Sequence, residues 1–233
     1  MRRSFVGFAG VLLAVALSIF ALQSTAGAAK THVITFGKWV PVKCPGPNDE
    51  AQPQTLKVRP LIVDGLVKEY IFGPPHDVTE RLFVTQRAFR LNDSLPEDAG
   101  APHWQWQRGG WLLVDRLTGH ISAINLAEFD SYYSTASWYR DYVAYCGVSD
   151  DGKKISAVVE QLNRRKAVLK KLLSEETAKK DAVIGSACPA PNWQRAPMRV
   201  SFDPSDGVKQ TFAIRRHAAD LVSDAEDEEE ASK

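Results

Sequence analysis

Three short stretches hold residues whose types and spacing could do chemistry. His76-Asp77 follows a Gly-Pro-Pro break and sets an imidazole beside a carboxylate, the combination that general acid–base work uses. In a loop the same pair also reads as a turn-capping Asp next to an exposed His. Trp138-Tyr139-Arg140-Asp141-Tyr142 places an Arg and an Asp among aromatic rings. Such rings can stack on a sugar while the charged pair binds its hydroxyls; core packing of the rings, beside a structural Arg140–Asp141 ion pair, is the commoner use. Trp104-Gln105-Trp106-Gln107 alternates, so a strand would put both Trp on one side. Facing solvent, that side would be an apolar binding face; facing inward, the more frequent outcome, it would be core. His76, Asp77, Trp104, Trp106, Trp138, Arg140 and Asp141 are therefore the candidate binding residues, and no catalytic residue is assigned.

Other chemistries lack their signatures. The sequence has no Gly-x-Ser-x-Gly elbow, no His-Glu-x-x-His, no phosphate-binding Gly loop and no dinucleotide fingerprint. Its three Cys and five His are scattered without metal-ligand spacing, so neither metal nor cofactor is expected. Arg164-Arg165-Lys166 with Lys170-Lys171 is a basic run that reads as a solvated turn, and no nucleic-acid partner is expected.

The N-terminus sets the context. Arg2 and Arg3 precede an apolar run from Phe5 to Leu22, and Ala26-Gly27-Ala28 supplies small residues after it. That three-part layout is a secretory signal peptide over residues 1–28, which implies an exported protein, periplasmic or extracellular. No second apolar stretch is long enough to span a membrane. Export to an oxidising compartment implies one disulfide among Cys44, Cys146 and Cys188; Cys146–Cys188 closes the shortest loop and is the expected pair. The formal net charge of +1 conceals an acidic C-terminus, residues 217–233, with seven acidic residues and one Lys. That segment reads as a disordered acidic tail, and the mild positive charge left on residues 30–216 does not argue for nucleic acid.

The segment from 30 to 216 reads as a single β-rich domain. Thr31 to Val42 is β-patterned. Lys57 to Val63 and Leu66 to Phe72 flank Asp64-Gly65, which favours a type I′ hairpin turn. Pro60 lacks a ladder donor and implies an edge strand, and Gly73-Pro74-Pro75 ends the hairpin. Further strands fall within Glu80–Leu91, Trp111–Asp115, Ile121–Leu126, Tyr139–Val148, Lys154–Gln161, Arg199–Phe202 and Gln210–Arg215. Residues 164–173 fit either a helical stripe or strands, with strands preferred for their β-branched, hairpin-rich surroundings; residues 174–187 read as loop. The class is all-β, built mostly of antiparallel hairpins, as a β-sandwich, a barrel, or a small or incomplete propeller-like arrangement.

Trp111-Leu-Leu-Val-Asp115, Thr118-Gly119 and Ile121 to Leu126, followed by Ser137-Trp138 through Asp151-Gly152 to Val159, resemble successive blades of exported β-propeller repeats. The resemblance implies a scaffold and carries no particular chemistry. The functional expectation is an exported protein that works by binding or by structural association in the cell envelope or outside the cell, with a glycan or an envelope protein as partner. The alternative is a hydrolase, possibly glycan-directed, whose carboxylates are assembled from distant loops.

Overall fold

The computed structural model describes residues 31–45, 53–94, 100–152, 154–174, 188–204 and 208–222. The expected signal peptide, most of the 174–187 loop and residues 223–233 of the expected tail lie outside them. Every regular element among the described residues is a strand, and every pairing is antiparallel. The all-β expectation holds.

The first sheet contains β1 (Ile34–Phe36), β2 (Val40–Cys44), β3 (Gln54–Val63), β4 (Leu66–Asp77), β5 (Leu82–Asn92), β6 (Trp104–Asp115) and β7 (Ile121–Ile124). Its order is β1-β3-β4-β5-β6-β7, with β2 also pairing β3. The second sheet runs in chain order through β8 (Ser137–Tyr139), β9 (Tyr142–Val148), β10 (Ile155–Gln161) and β11 (Leu169–Ser174). The third does the same through β12 (Asn192–Gln194), β13 (Arg199–Phe202), β14 (Gln210–Arg215) and β15 (Ala218–Leu221). These are open antiparallel sheets packed in layers, and none closes on itself.

The middle layer is the second sheet. Tyr142, Ala144 and Cys146 of β9, with Ile155, Ala157 and Val159 of β10, pack with Val200, Phe202, Phe212 and Ile214 of the third sheet. The intervening Val143, Tyr145 and Val158 pack with Val84 and Trp111 of the first. Alternate side chains thus bury in opposite directions, which is why β9 and β10 are nearly continuous runs of apolar, buried residues. Tyr145 is fully buried; burial and the nearby Glu160 carboxylate push its phenol up. Its hydroxyl stays protonated and lies 2.7 Å from the Ala127 carbonyl oxygen and 3.0 Å from Glu160 Oε1. The Cys146–Cys188 disulfide lies in the core between the second and third sheets, as expected, and Cys44 is buried and free.

Local departures from expectation have physical reasons. Asp64 and Gly65 both have positive φ, 51° and 79°, as a type I′ turn requires. However, β3 is no edge strand, because β1 and β2 share its far side: β2 pairs Gln54–Val58 and β1 pairs Leu61–Val63. Pro60 falls at the changeover, where the missing N–H disturbs the ladder least. Its carbonyl accepts from Gly37 N–H at 2.9 Å. The β-patterned segment divides around Gly37 into two short strands, and the close approach of Pro60, whose Cγ would lie 2.3 Å from a Cβ on Gly37, leaves no room for a side chain there. Residues 164–173 do contribute a strand, β11. Ala218–Leu221, placed in the tail by the sequence reading, instead pairs with β14 as β15.

Candidate functional site

The site is built by two irregularities that face each other across β5. On one side, β4 pairs β5 as far as Phe72↔Gln86 and resumes at His76↔Val84. Three residues, Gly73-Pro74-Pro75, therefore oppose Thr85 alone. Two prolines remove two ladder donors, and Gly73 turns the chain at φ 70°, so the segment arches without ending β4. On the other side, Gln86 pairs Trp111 and Ala88 pairs Arg108, leaving Gly109-Gly110 opposite Arg87. A Cβ on Gly109 would come within 3.1 Å of Arg87, which explains a glycine there. Gln86 Nε2 donates to the Gly109 carbonyl oxygen at 3.1 Å and ties the two features together. Extra residues of this kind re-aim side chains beside a site.

Above the flared strands lies the loop before β8. Asp130 Oδ1 accepts from the N–H groups of Tyr132 and Tyr133 at 2.7 and 3.3 Å. Ser131 Oγ donates to the Arg108 carbonyl oxygen at 2.9 Å, and Ser134 Oγ to that of Cys146 at 2.7 Å. The loop is thereby pinned to β6 below and β9 behind. Between it and the first sheet is a cavity of about 450 Å³, lined by the Gly73–Pro75 arch, Phe72, His76, Gln86, Arg108, Trp111 and Ser131, then by residues 134–138.

Its lining is aromatic and donor-rich. Trp111 and Trp138 meet edge to face with centroids 5.3 Å apart, and the His76 ring stacks on Trp138 at 6.1 Å. His76 Nε2 donates to the Arg140 carbonyl oxygen at 2.9 Å, which places the ring hydrogen on Nε2. The indole N–H groups of Trp111 and Trp138 and the Nε–H of Arg108 are all buried without an acceptor among the described residues. Among the described residues no Asp or Glu lines the cavity.

Of the residues singled out from sequence, His76 and Trp138 meet here. Arg140 joins them through its backbone, held at φ 54° in the β8–β9 turn. The Arg140–Asp141 ion pair does not form. The Arg140 guanidinium lies 5.4 Å over the Tyr139 ring, and Asp141 Oδ2 accepts from Gln161 Nε2 at 2.8 Å. Asp77 is exposed and accepts from Arg116 at 2.6 Å, so Asp77 and Asp141 sit in separate networks. Trp104 and Trp106 share a side but differ in fate. Trp106 packs on the Cys44, Leu56, Val58 and Ala88 cluster and meets Tyr70 edge to face, whereas Trp104 is 57% exposed. Arg90 lies over both, at 5.8 and 5.6 Å. The inward reading thus fails for Trp104.

Trp111, Arg108 and Gln86 were not among the candidates. The available signal was Gly109-Gly110 within a strand pattern, which marks a bulge, together with Gly73-Pro74-Pro75 opposite it. Among the described residues no group of three or more His, Cys, Asp or Glu is placed to hold a metal ion, and no helix is long and apolar enough to cross a membrane. No protein-family model matches the chain, and the search of curated proteins gave no match.

Proposed function

We propose that this protein is an exported binding protein whose ligand is a glycan seated in the cavity between the Gly73–Pro75 arch and Trp138. The observation that carries the reading is the set of three buried N–H donors, on Trp111, Trp138 and Arg108, without acceptors on the lining of one cavity. Buried donors are nearly always paired, and an unpaired one costs about 1–3 kcal/mol. A bound sugar would stack on the aromatic faces, and its oxygen atoms would pair these donors as the lining side chains, whose N–H atoms are covered in the free protein, turn toward it. The volume fits a small-ligand site, and hydroxyls of the loop add further partners. The Cys146–Cys188 disulfide supports an oxidising compartment, in keeping with the signal-like N-terminus. Glycan hydrolysis generally needs two carboxylates flanking the scissile bond, and the described lining offers none, which favours binding over turnover.

The test is calorimetric titration of the mature chain with a panel of neutral and acidic oligosaccharides. A member of the panel is expected to bind saturably, and Thr135→Trp, at an exposed lining position, is expected to weaken it at least tenfold with the thermal midpoint unchanged. Trp138→Ala should weaken it as well. Absence of binding across the panel, or binding that Thr135→Trp leaves intact, would refute the reading.

A further inference from the structure

A second cavity, about 600 Å³, is lined by Trp39, Pro41, Lys57, Arg59 and the Gly73–Pro75 arch. It lies on the other face of the first sheet from the glycan cavity. Val58 pairs Phe72, Phe72 pairs Gln86 and Gln86 pairs Trp111, which puts those four on one face. Lys57 and Arg59 flank Val58 on β3 and so belong to the opposite face. Pro41 of β2 pairs directly with Lys57 and joins them there. The arch stands between the two cavities, and each is a separate site.

Arg59 is held in place before any ligand arrives. Its guanidinium is clamped between aromatic rings, 4.1 Å from the Phe36 centroid and 4.3 Å from that of Trp39. The clamp fixes a long side chain whose ordering would otherwise oppose binding. Its Nε–H is covered and has no acceptor among the described residues, whereas its two terminal nitrogens are not covered. The terminal edge of the fork is therefore the part that a ligand can reach.

The charge at this position is unbalanced. Arg81, Arg87 and Arg116 each pair with a carboxylate. Among the described residues neither Arg59 nor the exposed Lys57 forms an ion pair, and no Asp or Glu lines the cavity. Burial lowers the Arg59 pKa from its ordinary value with no acid to oppose it, yet a guanidinium stays charged at neutral pH. The remaining wall is apolar, formed by the half-exposed Trp39 with Pro41, Pro74 and Pro75. Two unpaired cations beside an apolar wall suit a ligand with one anionic end and one hydrophobic end.

We infer that this cavity is a second binding site, for a small carboxylic acid with an apolar body. The carboxylate meets the terminal nitrogens of Arg59 beside Lys57, and the body lies against Trp39 and the prolines. Planar guanidinium groups suit carboxylates because they offer paired donors in a fixed fork. The inference stands apart from the glycan reading of the first cavity and does not depend on it.

The experiment titrates the mature chain calorimetrically with naphthalene-2-carboxylate, indole-3-acetate and octanoate, each beside its neutral amide. At least one acid is expected to bind saturably and roughly tenfold or more tighter than its amide, with the advantage shrinking as salt is raised. Arg59→Gln should abolish that advantage. Lys57→Gln, at an exposed position, should reduce it in the same direction and decides the matter should Arg59→Gln not fold. Saturable binding of none of the acids overturns the inference. So does an amide that binds as tightly as its acid, or an acid whose affinity survives both substitutions.

Discussion

Asp115 shows how much a single side chain can organise here. At the end of β6 its carboxylate pairs with Arg81 and accepts from the N–H groups of Leu117 and Thr118 at 2.9 and 3.4 Å. The Arg81 hydrogen bond holds the carboxyl well below its usual range, helped by those N–H groups. A carboxylate with a depressed folded-state pKa stabilises the protein above its unfolded value of about 3.9, and that contribution is lost as pH falls toward the folded value. Asp115→Asn should therefore lower the thermal midpoint at pH 7, and the gap to the parent protein should narrow below about pH 4. A gap that stayed constant down to pH 2 would show that the turn is held by something other than this charge. The Arg81 pairing was not legible beforehand, because Arg81 is 34 residues away and only the strand pairing brings it near.

At the scale of elements, the site depends on the extra residues in β4 and β6 on either side of Thr85–Arg87. Gly73 carries the sharpest constraint, since its φ of 70° disfavours a side chain by about 1–2 kcal/mol. Gly73→Ala is expected to cost about that much stability by urea unfolding, and to weaken ligand binding, since the arch walls the cavity. An unchanged affinity would mean that the arch is dispensable to recognition. Turn chemistry made the Asp64-Gly65 hairpin legible, and alternation made most strands so. Gly73-Pro74-Pro75 misled because Gly and Pro ordinarily end strands, whereas here they bulge one that continues to Asp77. Pro60 misled for a related reason: its position at the β1–β2 changeover is a tertiary fact. The three-residue β12 and the polar-flanked β15 were missed because their pairing partners, and not their own patterns, define them. The candidate site was half visible, in His76 and Trp138. Trp111 and Arg108 enter it only through the β6 irregularity.

For the whole molecule, the second sheet is the keystone, buried on both faces and joined to the third-sheet side by Cys146–Cys188. These cysteines are 42 residues apart, so the cross-link restricts the unfolded chain appreciably. Replacing both with Ala should lower unfolding free energy by about 2–4 kcal/mol, measured by urea denaturation, and the difference should vanish when both proteins are reduced. The candidate cavity lies where the first sheet meets β8 and its preceding loop, so a ligand there bridges two layers and should raise the unfolding midpoint by mass action.

The most direct test follows the six indole N–H groups by proton–nitrogen correlation spectroscopy, with Trp111→Phe and Trp138→Phe assigning their signals. As the oligosaccharide that binds is added, the Trp111 and Trp138 signals should move downfield together and saturate as their N–H groups gain acceptors, while the exposed Trp104 signal stays in place. Saturable binding that moved Trp104 and left Trp111 and Trp138 unmoved would place recognition at the exposed start of β6 and contradict the cavity as the binding site.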